Sequence, residues 1–123
     1  DITGVLSVIG KDPKNDIYYS TGGGPEGVLA AAALSCYGGQ IQGRLVLNEE
    51  EKIRAKKLGI KDFKKKYNID DMIKGDVIFC ASGVTSGDLA KGVQDLGNEF
   101  QVTTFALHKS KKINKTITNI YNK

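Results

Sequence analysis

Several residue types are scarce in this sequence of 123 residues, and each scarcity excludes a class of protein. One histidine and two cysteines are too few soft ligands for a structural zinc site. Cys36 and Cys80 stand far apart in apolar contexts, which predicts reduced, buried thiols and a cytoplasmic protein, with a single disulfide between them as the alternative. No apolar run approaches the roughly 20 residues that cross a bilayer, and no signal segment opens the chain. We therefore expect no membrane partner.

Arginine is also scarce, since 16 lysines and only two arginines carry the net charge of +4. Arginine is the side chain that binds bases and phosphates in bidentate fashion. The lysines cluster in polar stretches, such as residues 64–66. The lysine excess therefore predicts a solvated surface and no nucleic-acid partner.

The chain lacks an initial methionine, because its single methionine is Met72. Its opening residues, "DITGVLSVIG", already place apolar residues at helical spacing. We expect a piece cut from a longer protein, and a processed terminus is the alternative explanation. With 40% hydrophobic and 26% charged residues, the composition is that of a globular protein, and the length predicts a single domain over 1–123.

The hydrophobic pattern changes along the chain. The first two thirds alternate predicted helices and strands, and the last third is rich in strands, as in an antiparallel meander. The predicted elements are helices at 2–9, 25–37, 49–58 and 68–75, and strands at 17–21, 40–48 with a bulge or close backbone approach at Gly43, and 76–82. The apolar run at 76–82 predicts a strand buried on both faces. The fold class predicted is α/β, a layered sandwich with a mixed sheet.

Residues 19–29, "YSTGGGPEGVL", combine a glycine turn with a helix start at Pro25. Glycines let the backbone approach an anion closely, and the N–H groups of a helix N-terminus favour negative charge. The spacing matches neither a Walker A loop nor a dinucleotide-binding loop. It predicts an anion site of another kind.

Glu26 is unexpected in such a loop, because a carboxylate repels a phosphate. At 4 Å and an effective dielectric of about 20, two unit charges repel by about 4 kcal/mol. A divalent cation between them removes the conflict, since carboxylate and phosphate oxygens are typical ligands of Mg²⁺ and Mn²⁺. The alternative role of Glu26 is stabilisation of the helix N-terminus.

The segments "GGGPEGVLAAAALSCYGGQIQGRL" and "DVIFCASGVTSGDLAKGV" resemble the class II fructose-1,6-bisphosphatase family of bacteria. The likeness covers nearly the whole chain and matches the C-terminal half of that enzyme. It implies half of the αβαβα fold of the lithium-sensitive phosphatases. It also implies a metal-dependent phosphatase of gluconeogenesis that hydrolyses fructose 1,6-bisphosphate with Mg²⁺ or Mn²⁺ and forms a homo-oligomer when full length.

The resemblance assigns roles by position. Glu26 matches a metal ligand, and Asp1 and Gly23 match substrate-binding residues. Gly24 stands where relatives often have alanine. Arg44 is a cation near the site, and a salt bridge at the sheet surface or core edge is the simpler explanation of it.

The resemblance places the other carboxylate ligands, the catalytic lysine and the threonine that positions water in the N-terminal half of the family. No catalytic residue is therefore expected in this fragment, which we predict to be inactive alone. A sedoheptulose-bisphosphatase, an inositol-phosphatase-like enzyme and a non-catalytic binding module are the alternatives.

Overall fold

Two helices cover one face of the main sheet. The computed structural model describes residues 2–9 and 12–123, and its first helices are α1 (Ile2–Leu6) and α2 (Gly24–Tyr37). Alanine and leucine favour a helix in α2, and Pro25 stands in its first turn. Gly38 ends α2 with a left-handed φ of 73°, a conformation that glycine adopts without strain. The helix predicted at 25–37 is therefore confirmed.

The remaining elements alternate and then become strands only, as the hydrophobic pattern predicts. In chain order they are β1 (Gln42–Arg44), α3 (Glu49–Lys57), β2 (Lys66–Asn68), α4 (Ile69–Met72), β3 (Ile78–Ser82), β4 (Gln94–Asp95), β5 (Glu99–His108) and β6 (Ile113–Asn122). No helix within 2–9 and 12–123 is long and apolar enough to span a membrane.

The strands form two antiparallel sheets. β1 pairs with β2 in a small sheet, with Gly43 opposite Tyr67. In the main sheet β6 pairs along the whole of β5, so β3 and β4 pair with different parts of its other edge. The α/β class is confirmed. Every strand pairing between described residues is antiparallel. The predicted mixed sheet also needs parallel pairs, and the described residues form none.

The core lies between α2 and the main sheet. Ala33 of α2 packs with Phe79, Phe105 and Leu107, and all four are buried. Partly buried side chains of α1, including Leu6, extend this cluster. This core holds α2 against the main sheet. It thereby also holds the N-terminus of α2, which follows the glycine loop.

The opposite face of the main sheet contradicts one expectation. Phe79 of β3 is buried, but Ile78 is 68% exposed and Cys80 is exposed. The prediction that this strand is buried on both faces is therefore wrong for the described chain, as is the predicted burial of the Cys80 thiol. The reason is that α1 and α2 pack only on the face that carries Phe79.

Two further local predictions are wrong. Residues 17–21 form no strand, because their β-rich side chains find no partner strand among the described residues. β1 covers only residues 42–44, and Gly43 sits in regular register without a bulge. A Cβ at Gly43 would meet nothing within 4 Å, so no close approach requires glycine there.

Candidate functional site

The glycine loop leads into the N-terminus of α2 and is open to solvent. Gly23 is the N-cap residue, in an extended conformation with φ −68° and ψ 149°, and no side chain caps the helix. The first bond of the helix runs from the N–H of Gly27 to the carbonyl of Gly23, at 3.0 Å. The N–H groups of Gly24 and Glu26 have no hydrogen-bond partner within 2–9 and 12–123. They remain available to an anion.

The structure brings two of the predicted site residues, Gly23 and Glu26, into contact. A Cβ placed on Gly23 would lie 2.1 Å from Oε2 of Glu26 and 3.1 Å from its Cδ. The Glu26 side chain therefore folds back from the first turn of α2 over the bare Cα of Gly23. Glu26 is exposed, so its carboxylate can reach a ligand bound at the loop.

The neighbouring glycines differ from Gly23. A Cβ at Gly22, Gly24 or Gly27 would meet nothing within 4 Å. Relatives often have alanine where this chain has Gly24, and an alanine side chain would fit this backbone. Within this loop, only a Cβ at position 23 would displace a neighbouring side chain, namely that of Glu26.

The third predicted site residue, Asp1, lies outside the described residues.

Tyr18 connects the segment before the glycine loop to the N-terminal helix α1. A Cβ at Gly4 of α1 would lie 2.5 Å from Cε2 of Tyr18, so the tyrosine ring lies against α1. This contact fixes the start of the segment that leads into the glycine loop.

The described residues supply only part of a divalent-cation site. Glu26 offers one carboxylate beside the loop, and the donor type fits Mg²⁺ or Mn²⁺. Nowhere in the described ranges do three or more His, Cys, Asp or Glu side chains cluster as metal ligands. Among the described residues, Glu26 therefore offers one carboxylate, and a cation there would take its other ligands from water, a bound phosphate or further residues.

A polar cluster that the sequence did not reveal joins the start of β3 to the turn after β5. Asp76 accepts hydrogen bonds from Ser110, through its Oγ at 2.6 Å and its N–H at 2.9 Å. Nε2 of His108 lies 2.8 Å from Oδ2 of Asp76. The Ser110 hydroxyl and His108 hold the pKa of Asp76 well below its usual range. His108 lies in β5. It is 32 positions from Asp76 in the sequence, so no local sequence pattern predicts their contact.

Arg44 also differs from its expected role. It is exposed at the end of β1, and no salt bridge within 2–9 and 12–123 includes it. The expected salt bridge at the sheet surface or core edge is therefore wrong for the described chain. Arg44 instead lines a cavity.

The chain is similar to known bacterial phosphatases. The model of a family described as bacterial fructose-1,6-bisphosphatase, glpX-encoded, matches residues 1–121. Fructose-1,6-bisphosphatase class 2 of Haemophilus influenzae is 34% identical over 94% of this chain. Fructose-1,6-bisphosphatase 2 class 2 of Escherichia coli is 30% identical over 87% of it.

A third relative carries a double name. The D-fructose 1,6-bisphosphatase class 2/sedoheptulose 1,7-bisphosphatase of a Synechococcus strain is 32% identical over 83% of this chain. The matches cover 39%, 38% and 33% of the lengths of the three relatives, in the order given. The chain therefore spans less than half the length of the relatives that it matches.

Proposed function

The chain belongs to the bacterial, glpX-encoded fructose-1,6-bisphosphatase family, and from this premise we propose that it is part of a longer sugar-bisphosphate phosphatase. The proposed reaction is hydrolysis of fructose 1,6-bisphosphate to fructose 6-phosphate and phosphate. The observation that supports it best is the contact between Glu26 and Gly23 at the N-terminus of α2. One carboxylate and free backbone N–H groups meet there, as a metal–phosphate site requires.

Each part of the loop has a proposed task. The N–H groups of Gly24 and Glu26 donate hydrogen bonds to phosphate oxygens of the substrate, aided by the helix dipole. Gly23 leaves room for the Glu26 side chain and for close approach of the substrate to the backbone. Asp1 is proposed as a second substrate-binding residue, since the resemblance matches it to one.

The Glu26 carboxylate is proposed to hold a divalent cation, Mg²⁺ or Mn²⁺, together with ligands from the rest of the protein. When bound, such a cation neutralises phosphoryl oxygens and lowers the pKa of a coordinated water. Glu26 contributes one oxygen ligand and keeps its negative charge separated from the phosphate by that cation. The charge conflict in the loop is then removed.

We also propose the setting of this enzyme. The described chain would be one domain, 1–123, corresponding to the C-terminal half of a cytoplasmic enzyme of gluconeogenesis. That enzyme would act as a homo-oligomer. Family membership and the partial coverage of the relatives support this setting.

A second substrate follows from one of the relatives. The printed name of the Synechococcus protein includes sedoheptulose 1,7-bisphosphatase. We therefore include sedoheptulose 1,7-bisphosphate as the alternative substrate. The ratio of kcat/KM for the two sugars, measured on the full-length protein, decides between them.

The experiment that tests the proposal is Glu26→Gln in the full-length protein. Glutamine keeps the size and helix propensity of glutamate but removes the charge. We expect kcat/KM for fructose 1,6-bisphosphate to fall by about 100-fold, the scale of losing one preorganised electrostatic partner. The Mn²⁺ concentration at half-maximal activity should rise, and the unfolding midpoint should stay nearly unchanged.

The matched control is Glu50→Gln, which removes an exposed acid from the first turn of α3. Glu50 forms no salt bridge in the described part of the chain, so activity and metal dependence should remain at wild-type levels. If Glu26→Gln behaves as this control does, Glu26 only stabilises its helix and the proposed metal role is wrong.

A further inference from the structure

A cationic cavity lies between the end of β1, the helix α3 and the loop that precedes β2. Its volume is about 670 Å³. Arg44, Lys52, Lys56 and Lys64 line it, and Asp62 is its single acidic lining residue. Lys52 and Lys56 stand four residues apart on α3, so their side chains project from the same face of that helix. The cavity shares no lining residue with the glycine loop.

Most of these cations form no salt bridge with a described residue. Lys52 pairs with Glu49, with 2.6 Å between Nζ and Oε1. Arg44, Lys56 and Lys64 take part in no salt bridge or side-chain hydrogen bond within 2–9 and 12–123. Asp62 accepts a bond from the backbone N–H of Lys64, at 2.8 Å, so one of its oxygens is already engaged. Positive charge therefore predominates at the cavity wall.

The pairing of β1 with β2 places a further cation beside Arg44. Arg44 lies directly opposite Lys66 in the register of the two strands, so both side chains share a face. Like charges directly opposite each other destabilise a pair of strands. The adjacent Lys65, by contrast, is neutralised by Asp71 at 2.8 Å. Lys66 does not line the cavity, but its charge adds to the positive potential around Arg44.

The cavity also has an apolar part. Leu45, Leu47 and Phe63 line it, and all three are only partly exposed. A pocket with an apolar surface and several cations favours a ligand that carries both an anionic group and an apolar group. Guanidinium and ammonium groups together favour a phosphate as the charged group.

We infer that this cavity binds a phosphate monoester that carries an aromatic or apolar group. The phosphate lies against Arg44, Lys56 and Lys64, and the apolar group lies against Phe63 and Leu45. We assign no chemical step to the lysines or to Asp62 of this cavity, so the inference is one of binding only. The inference is independent of the proposed phosphatase activity, since it concerns binding alone.

The test measures binding of phenyl phosphate to the full-length protein by isothermal titration calorimetry. The variant Arg44→Gln/Lys56→Gln removes two lining charges. The control Arg54→Gln/Lys57→Gln removes two charges from α3 outside the lining. Both variants change the net charge equally, so long-range electrostatics affect them alike.

We expect the cavity variant to bind phenyl phosphate at least about 10-fold more weakly at one class of sites, the scale of losing hydrogen bonds to a charged group. The control should stay within about 2-fold of wild type, as expected for charges that do not touch the ligand. Identical isotherms for the wild type and the cavity variant would overturn the inference. Equal weakening in both variants would also overturn it, because it would indicate unspecific attraction.

Two further measurements complete the test. Inorganic phosphate should bind this class of sites at least about 5-fold more weakly than phenyl phosphate, because it cannot use Phe63. Equal affinities would overturn the apolar part of the site. If the double variant does not fold, Lys64→Gln against Lys61→Gln gives the same comparison, with about 3-fold weaker binding expected for Lys64→Gln alone.

Discussion

At the scale of single residues, Gly23 is the position where one methyl group should disturb the proposed chemistry most. Gly23→Ala places a Cβ where the Glu26 carboxylate lies, so that carboxylate must move. We expect kcat/KM of the full-length enzyme for fructose 1,6-bisphosphate to fall about 10- to 100-fold, as for other misplaced catalytic ligands. Stability should change by less than about 1 kcal/mol, because alanine adopts φ −68° without strain.

Gly24→Ala is the control one residue away. A Cβ there meets nothing within 4 Å, so activity should be retained, and the lower entropy of the unfolded chain should stabilise the protein by about 0.5 kcal/mol. Thermal unfolding and steady-state kinetics on both variants separate the two effects. Similar activities for the two variants would contradict the contact between Gly23 and Glu26.

Asp76 predicts a pH dependence of stability. Hydrogen bonds from Ser110 and His108 hold its pKa in the folded chain below the usual value. A carboxyl group with a lowered folded pKa stabilises the fold above its unfolded pKa of about 4, and this contribution is lost as pH falls toward the folded value. Denaturant unfolding should therefore show that wild type is more stable than Asp76→Asn at about pH 5. The difference should narrow below about pH 4, and a gap that widens in acid would contradict the prediction.

The proximity of some of these residues follows from the sequence more directly than that of others. Gly23 and Glu26 stand three positions apart across a helix start, so their proximity follows from local geometry. Asp76 and His108 meet only because β3 pairs with β5. Arg44 could not be placed in a cavity from the sequence, because the cavity is formed by three segments that only tertiary folding brings together.

At the scale of elements, the end of α2 depends on the left-handed conformation of Gly38. A side chain other than glycine costs roughly 1–2 kcal/mol in that region of φ. Gly38→Ala should therefore destabilise the chain by about 1 kcal/mol in denaturant unfolding, since α2 carries part of the core. Gly38→Asn should cost less, because asparagine tolerates the left-handed region better. Equal stabilities for all three residues at position 38 would contradict this.

The elements predicted correctly have signals within their own residues. α2 and α3 carry their start and stop signals, including the reciprocal hydrogen bonds between Asn48 and Glu51 at the start of α3. Residues 17–21 and the edges of β1 have no such signals, because a strand exists only where another strand pairs with it. For the same reason, the hydrophobic pattern does not predict β2.

At the scale of the whole molecule, the isolated chain of 123 residues should show no significant phosphatase activity. A catalytic metal pair needs several oxygen ligands, and the described residues contain no cluster of three or more metal-ligating side chains. Phosphate release from fructose 1,6-bisphosphate with Mn²⁺, measured beside the full-length enzyme, tests this. Turnover comparable to that of the full-length enzyme would show that the chain is catalytically sufficient.

The pairing of β5 with β6 sets an order of events during folding. All of its pairs lie between Glu99 and Asn122, so closing this hairpin costs little loop entropy and takes microseconds once the segment is free. The helices α1 and α2 leave the ribosome earlier, but Phe105 and Leu107, on which they pack, belong to that hairpin. We therefore expect the nascent helices to gain this part of the core only after translation has passed the hairpin.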